Sequence, residues 1–266
     1  MIPLFSKPKI ISENGNRAVF EIESLYPGYG ITVGNSLRRV LLSSLPGAAV
    51  TKMKIKDVAH EFSTIPGIYE DTIQIMLNLK KLRFKMFSDE PQKAVLRVKG
   101  EREAQGKDFS LPSQLELVNK DQKVATLTDK KAELEIEIQV EKGIGYMPRE
   151  KRKGDKLAIG EILVDAIYGS VKKVGFQIEN MRVGDRTDFD RLKLDIETDG
   201  TISPSAALSR AADILVRHFS LVAEGLVIED VLTPTKEKTG KQKISKKKVS
   251  PKKKAVPVKK IKKAKK

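Results

Sequence analysis

Almost all of the net charge of this 266-residue chain lies in its last 31 residues, from Lys236 to Lys266. That segment holds sixteen lysines and one acidic residue, whereas the 235 residues before it carry 35 basic and 34 acidic side chains. Self-repulsion and the absence of apolar periodicity prevent such a segment from burying enough surface to fold. We therefore predict a disordered Lys-rich tail over 233–266 and a nearly neutral folded body before it.

The tail has two interpretations. Flexible lysines attract phosphate backbones without reading bases, so we expect weak, salt-sensitive DNA binding with no sequence preference. The alternative is a solubilising extension.

Composition excludes several classes of chemistry. The absence of cysteine removes disulfides, thiolate zinc sites and cysteine nucleophiles, and two histidines, His60 and His218, are too few for a histidine metal cluster. No apolar run approaches the ~18 residues of a membrane span, and the first eleven residues lack the apolar stretch of a signal peptide. We expect no membrane partner and a cytoplasmic location, with a plastid left open.

A first helix is predicted from Val33, after a turn at 27–30, and is expected to end at Pro46. Its apolar positions recur at helical spacing and share one arc. The side chains predicted to point away from that arc are Arg38, Arg39 and Leu42.

A long helix is predicted from Ser203-Pro204 to about Gly225, with serine as N-cap and proline in the first turn. Its apolar face is wide enough to cover a sheet and still meet another helix. We interpret it as the interface of a symmetric dimer; the alternative is a helix buried within one domain. The first apolar stripe comprises Leu208, Ala212, Leu215, Phe219 and Val222, and the second Ala207, Ala211, Ile214, His218 and Leu221.

The region from 50 to 168 is predicted to be mostly β, with its strictest apolar alternation at 133–140. One helix is expected within it, over Ile68–Leu79, with Ile73, Met76 and Leu77 on one face.

Two motifs suggest chemistry but fit it poorly. The glycines at 28, 30 and 34 resemble a dinucleotide fingerprint whose third glycine should stand at Val33, so we predict a turn. Asp188 and Asp190 could form a magnesium site, but beside Arg186 and Arg191 a salt-bridged loop is the better interpretation. No catalytic constellation can be assembled, which favours a binding scaffold.

Several motifs together identify a family resemblance. The segment from Gly28 to Ser44 (GYGITVGNSLRRVLLSS) resembles the hallmark helix of the bacterial RNA polymerase alpha subunit family. Further similar motifs follow in the family's order across nearly all of 1–232: His60–Thr64, Glu70-Asp71, Asn78–Lys80, Gly143–Pro148, Leu163–Ala166, Arg186–Asp188 and Glu197–Ile202.

The resemblance implies an α+β fold with two subdomains: a dimerisation subdomain built from both chain ends, 1–46 and 169–232, and an inserted, mostly β subdomain over 47–168. It implies a homodimeric, non-catalytic assembly scaffold of DNA-directed RNA polymerase that recruits the beta and beta-prime subunits, with omega and sigma in the holoenzyme. No cofactor is expected on this chain, since the family's catalytic magnesium lies on beta-prime.

The resemblance also assigns site residues. Contact with beta falls to Arg38, Arg39, Leu42 and His60, with Arg39 matching the family's most critical arginine, and contact with beta-prime to Lys80 and Val164. The dimer interface is expected to include Tyr29, Leu37, Val40, Leu208, Ala211, Ala212, Leu215, Phe219 and Val222.

One departure from the family pattern stands out. The family usually continues through a linker into a helical carboxy-terminal domain that binds upstream DNA, whereas here the lysine tail follows, which puts promoter-specific upstream contacts by this chain in doubt. An alternative function is that of a nucleic-acid-coating or ribosome-associated basic protein that acts through the tail.

Overall fold

The computed structural model describes residues 4–152 and 157–225, so the predicted tail lies outside the described residues. The described part is a mixture of strands and helices, which confirms the predicted α+β class. The helices are α1 (Tyr29–Ser43), α2 (Thr72–Leu79) and α3 (Pro204–Gly225), with 3-10 turns at Gly106–Asp108 and Arg149–Arg152. The strands are β1 (Lys9–Asn14), β2 (Arg17–Leu25), β3 (Pro46–Ile55), β4 (Phe84–Met86), β5 (Gln92–Lys99), β6 (Arg102–Gln105), β7 (Phe109–Ser110), β8 (Leu115–Leu117), β9 (Lys123–Leu127), β10 (Glu133–Ile144), β11 (Tyr146–Met147), β12 (Glu161–Leu163), β13 (Ala166–Ile167), β14 (Val171–Val183) and β15 (Arg186–Thr198).

A four-stranded antiparallel sheet joins the two ends of the described chain in the order β1-β2-β15-β14. Its central pair places Leu192 of β15 opposite Ile22 of β2. Helix α1 packs on β14 and β15 and against α3. Both helices therefore cover one sheet, and the faces that they turn away from it are the surfaces left for other molecules.

A seven-stranded sheet occupies the middle of the chain, in the order β7-β5-β10-β3-β4-β8 with β12 also paired to β3. Its longest strand, β10, buries Leu134, Ile136, Ile138 and Val140 while the intervening side chains face outward. This alternation is the two-residue period of a strand with one face in a core, and it confirms the strand predicted at 133–140.

The two largest clusters of buried apolar side chains correspond to the two sheets. One cluster draws on residues between Val50 and Val164, and the other joins residues from 18–45 to residues from 171–211. The described residues before 226 nevertheless form one compact unit. The boundaries expected at 46–47 and 168–169 stay a prediction.

The chain passes between the two sheets beside Tyr168, which is almost fully buried. A Cβ atom at Gly47 would collide with the backbone carbonyl of Tyr168, and one at Gly143 would collide with its ring. The tyrosine hydroxyl accepts a hydrogen bond from the Arg152 guanidinium. Glycine is therefore required at 47 and 143 because backbone and ring come too close for any side chain.

The predicted bounds of the middle helix were wrong. Helix α2 begins at Thr72, because Asp71 caps it by accepting a hydrogen bond from the Gln74 amide at 2.7 Å. Ile68 instead forms a β-bridge with Leu127. The buried face is also different from the predicted one: it carries Thr72, Ile75 and Leu79, whereas Leu77 is exposed.

The first helix also differs from its predicted bounds. Helix α1 begins four residues earlier than expected, at Tyr29, because Gly28 takes the left-handed conformation (φ 83°) that reverses the chain just before it. Pro46 does not merely end the helical segment. It opens β3, where it pairs with Ile144, a position at a strand start that proline tolerates.

Candidate assembly surfaces

Asp190 closes the amino-terminal end of α1. Its carboxylate Oδ2 accepts hydrogen bonds from the amides of Gly28 at 2.9 Å and Gly30 at 3.0 Å. Asp190 itself is buried. The free amides that a dinucleotide phosphate would need at a helix start are therefore already occupied. The glycine motif is a helix start with an internal carboxylate cap.

The predicted salt-bridged loop at Asp188 and Asp190 is half right. Asp188 does bind Arg186 through two hydrogen bonds, of 3.0 and 2.6 Å. Both aspartates, however, belong to strand β15 rather than a loop, and Asp190 serves the helix start instead of an arginine. Among the described residues no group of three or more His, Cys, Asp or Glu side chains could hold a metal ion.

Helix α1 comes close to the sheet at its glycines. A Cβ atom at Gly34 would stand 2.9 Å from Leu192 Cδ1 and 3.0 Å from the Phe176 ring, so any side chain there would push the helix outward. Leu37 and Leu41 continue this buried face. The opposite face of α1 is consequently fixed in position on a rigid support.

That opposite face carries the residues predicted to point outward. Arg38 and Arg39 are exposed, and Leu42 is 40% exposed. Neither arginine forms an ion pair with another residue in the described ranges. Two unpaired guanidinium groups beside a half-exposed leucine form a compact surface, which we call the α1 face (Arg38, Arg39 and Leu42).

Helix α3 changes character along its length. Ala207, Leu208 and Ala211 are buried against the sheet, and Ala212, Ile214 and Leu215 are partly buried. The large apolar side chains of the second half are then mostly exposed. Val216, Phe219, Leu221 and Val222 are each between 59% and 66% exposed. We call the two that share one arc of the helix, Phe219 and Val222, the α3 patch.

The residues predicted for the dimer interface thus divide into two groups. Tyr29, Phe219 and Val222 are exposed, and Val40, Ala212 and Leu215 are partly so. Leu37, Leu208 and Ala211 are buried in the cluster of the four-stranded sheet, so within a single copy their side chains already have their partners.

His60 lies in the exposed segment between β3 and α2. Its Nδ1 is 3.2 Å from the hydroxyl of Ser63. The next residue, Glu61, pairs with Arg149 at 2.8 Å. Two aromatic side chains of this segment, Phe62 and Tyr69, are more than 70% exposed. Sequence reasoning missed these aromatics, because no periodicity marks exposure in an irregular segment.

Lys80 and Val164 lie in different environments. Lys80 Nζ contacts Asp165 Oδ2 at 3.2 Å, and the amide of Arg149 donates to the other oxygen of Asp165 at 3.0 Å. The Arg149 amide and then Lys80 hold the pKa of Asp165 below its ordinary value, against the opposing effect of burial. Val164 has no exposed surface. Its side chain packs in the core below the surface that Lys80 and Asp165 form.

Comparison with known proteins identifies the class first. The family described as the RNA polymerase Rpb3/RpoA insert domain matches residues 53–169, the region of the seven-stranded sheet. The chain is therefore built around an insert found in subunits of RNA polymerase.

The relatives then give the particular family. DNA-directed RNA polymerase subunit alpha of Roseiflexus sp. (strain RS-1) is 44% identical over 234 residues, which are 88% of this chain and 72% of that protein. The same subunit of Roseiflexus castenholzii is 48% identical over 82% of this chain and 67% of its own length. That of Symbiobacterium thermophilum is 48% identical over 81% and 69%. The chain belongs to the family of DNA-directed RNA polymerase alpha subunits, and a role as assembly scaffold in transcription follows from that family.

No helix within 4–152 and 157–225 has the length and apolar character needed to cross a membrane.

Proposed function

We propose that two copies of this chain form a homodimer through the α3 patch and that the dimer recruits the beta and beta-prime subunits of RNA polymerase, itself contributing no catalytic group. The observation that carries the proposal is that the two helices on one sheet each leave a face uncovered: the α3 patch is apolar, and the α1 face is cationic.

The α3 patch is suited to self-association. Phe219 and Val222 continue the arc of Ala212 and Leu215, whereas Ser220 and Glu224 lie on the opposite, polar arc. Exposed apolar side chains in such a group mark a contact surface. A second copy of the helix offers a self-complementary surface of the same kind, as a two-fold interface requires. Tyr29 and Val40 are proposed to lie at its edge.

The α1 face is suited to a second, different partner. Arg38 and Arg39 can each present a planar fork of donors to a carboxylate or to backbone carbonyls, and Leu42 adds apolar contact. We assign this face to beta, with Arg39 as its main anchor and His60 as a further contact. Lysine at 39 would keep the charge but lose the two-pronged geometry.

The surface around Lys80 is assigned to beta-prime. Asp165 holds the Lys80 ammonium in place, and buried Val164 keeps the strand end beneath it in position. Omega and sigma are proposed to join the same complex through the large subunits, and the catalytic magnesium to lie on beta-prime rather than on this chain.

The test is native mass spectrometry of complexes captured with the tagged full chain at moderate salt. Two copies bound to two much larger subunits are expected. The Arg39→Ala variant should remain a dimer but lose the large subunits. As a matched control, Arg97→Ala removes an exposed arginine from the seven-stranded sheet and should leave the complex intact. Normal capture by Arg39→Ala would refute the role of the α1 face.

The Lys-rich tail lies outside the described residues, and its proposed role rests on charge alone. We propose that it lends the complex a weak, salt-sensitive attraction to DNA without sequence preference. If trimming the chain after Thr235 left the affinity for DNA and its salt dependence unchanged, this role would be lost. If instead the full chain bound nucleic acid heterogeneously and captured no large subunit, the coating-protein alternative would replace the scaffold.

A further inference from the structure

A cleft of about 460 Å³ lies where the start of β3, strand β4 and the segment that leads into α3 come together. Its volume falls within the range of pockets that hold cofactor-sized ligands. It belongs neither to the α1 face nor to the α3 patch, and no sequence motif discussed above predicted it.

One wall of the cleft is apolar and ends at an exposed aromatic ring. Phe84 and Met86 of β4 are buried, whereas Phe87, directly after the strand, is 65% exposed. A phenylalanine ring at the mouth of a cleft offers a face on which another flat ring can stack.

Two cations line the same cleft from different elements. Lys85 comes from β4 and Arg210 from α3, and neither forms an ion pair with another described residue. Glu116 lies opposite Lys85 on the neighbouring strand β8, but the two side chains form no ion pair. Guanidinium and ammonium groups without carboxylate partners favour a phosphate-bearing ligand.

The remaining charges of the cleft largely cancel. Lys142 pairs with Asp89 through a 2.7 Å contact between Nζ and Oδ1, and this contact holds the pKa of the Asp89 carboxyl below its ordinary value. The Asp89 carboxylate is therefore occupied by its own lysine, and the net field of the cleft comes from Lys85 and Arg210.

Strand β4, which forms one wall of the cleft, offers a peptide no free backbone edge. Strand β4 is paired on one side with β3 and on the other with β8, and the first residues of β3 are paired with β10. The hydroxyls of Ser170 and Thr201 already donate to Pro46 and Asp199. A ligand must therefore be held by side-chain cations and by stacking, which suits a small molecule better than a protein segment.

We propose that this cleft binds a nucleoside phosphate, with the base stacked on Phe87 and the phosphates held by Lys85 and Arg210. Such a site lies apart from the polymerase chemistry assigned to the large subunits and does not depend on the assembly role proposed above.

Methionine-methyl NMR of the full chain, titrated with ATP at moderate salt, tests the proposal. Met86 lines the cleft, whereas Met147 and Met181 lie on β11 and β14 and serve as internal controls. Because the signal reports on one side chain, ATP bound elsewhere on the chain does not imitate it. Saturable movement of the Met86 methyl signal is expected, with the two controls unmoved.

Variants identify the groups that hold the ligand. Arg210→Gln and Phe87→Ala should each weaken binding about tenfold, and Lys99→Gln, which removes an exposed lysine of β5, should leave it unchanged.

A silent Met86 signal would overturn the site, as would binding that survives Lys85→Gln combined with Arg210→Gln. Inorganic triphosphate binding as tightly as ATP would overturn the stacking role of Phe87, and movement of Met86 by an acidic peptide but not by ATP would overturn the choice of ligand.

Discussion

The two halves of α3 share one apolar pattern but use it differently. Ala207 and Ala211 in the first half are completely buried, whereas Phe219 and Val222 in the second half are mostly exposed. Both pairs fit the alternating four- and three-residue spacing of an apolar helix stripe, so spacing shows only that each side chain needs a partner. The fold shows whether the chain itself supplies that partner.

Charged side chains show the same contrast. On the outer face of the seven-stranded sheet, Lys93 pairs with Glu137 and Arg97 with Glu135 across neighbouring strands. The arginines of the α1 face have no such carboxylates among the described residues. A cation that is already paired with a carboxylate has little capacity to bind another molecule. The unpaired arginines of the α1 face are available to a protein partner.

The greatest loss of stability is expected from a charge at Ala211. Replacing Ala211 with Asp places a carboxylate where the side chain is fully buried, so we expect a loss of about 3–5 kcal/mol in the free energy of unfolding. Urea denaturation followed by circular dichroism measures it. A variant as stable as the unchanged chain would mean that the first half of α3 is not part of the core.

The matched change in the second half should spare the fold. Phe219→Asp is expected to weaken dimerisation at least about 100-fold, the typical effect of losing a central interface aromatic, while the helical content of the chain persists. Light scattering coupled to size exclusion measures the dimer. Ser220→Asp adds the same charge on the polar arc and should leave the dimer unchanged; equal disruption by both variants would argue against the α3 patch.

Glu70 is a carboxylate whose hydrogen-bond partners all come from within the chain. It accepts hydrogen bonds from the Thr126 amide at 2.6 Å and hydroxyl at 3.0 Å, and it contacts Lys123 at 3.0 Å. Burial opposes ionisation, but the bonds from Thr126 and Lys123 outweigh it, so the pKa of Glu70 is below its ordinary value. Its stabilisation is present above the ordinary pKa of glutamate and is lost as pH falls through the lowered one.

Glu70→Gln should therefore cost about 1–3 kcal/mol at pH 7 and reduce the loss of stability between pH 7 and pH 3. Urea denaturation at the two pH values measures both effects. Glu116→Gln changes an exposed carboxylate of β8 and should alter neither. An unchanged pH dependence in Glu70→Gln would show that Glu70 contributes nothing to acid sensitivity.

The smallest effect is expected where exposed charges are already paired. Arg97, 72% exposed, meets Glu135 at 2.8 Å, and exposed pairs of this kind contribute about 0.2–1 kcal/mol. A double-mutant cycle of Arg97→Ala with Glu135→Ala measures the coupling. A coupling above that range would mean that the outer face of the sheet is a stabilising network.

Local patterns predicted the elements that depend on neighbours in sequence. The long helix was predicted from Ser203-Pro204, and Ser203 indeed accepts a hydrogen bond from the Ala206 amide, which confirms α3. The apolar alternation at 133–140 likewise predicted β10. Both are short-range effects of capping and period.

Features that depend on distant residues could not be predicted in this way. The start of α1 is fixed by Asp190, and the start of α2 was masked by apolar residues at 68–69 that join β9 instead. The cleft beside Phe87 arises only where the two sheets meet. The outward direction of Arg38, Arg39 and Leu42 was predictable because it follows from helical period alone.

The hydrogen bonds between Asp190 and the start of α1 can form only late in synthesis. Asp190 leaves the ribosome 162 residues after Gly28, a delay of about 8–30 s at translation rates of 5–20 residues per second. Strand β2 is likewise synthesised long before β15, the strand with which it pairs. The seven-stranded sheet, whose strands all lie between Pro46 and Leu163, can be completed within that interval. Helix α1 and strand β2 are thus synthesised well before their partners in β15, and their apolar faces stay uncovered during that interval.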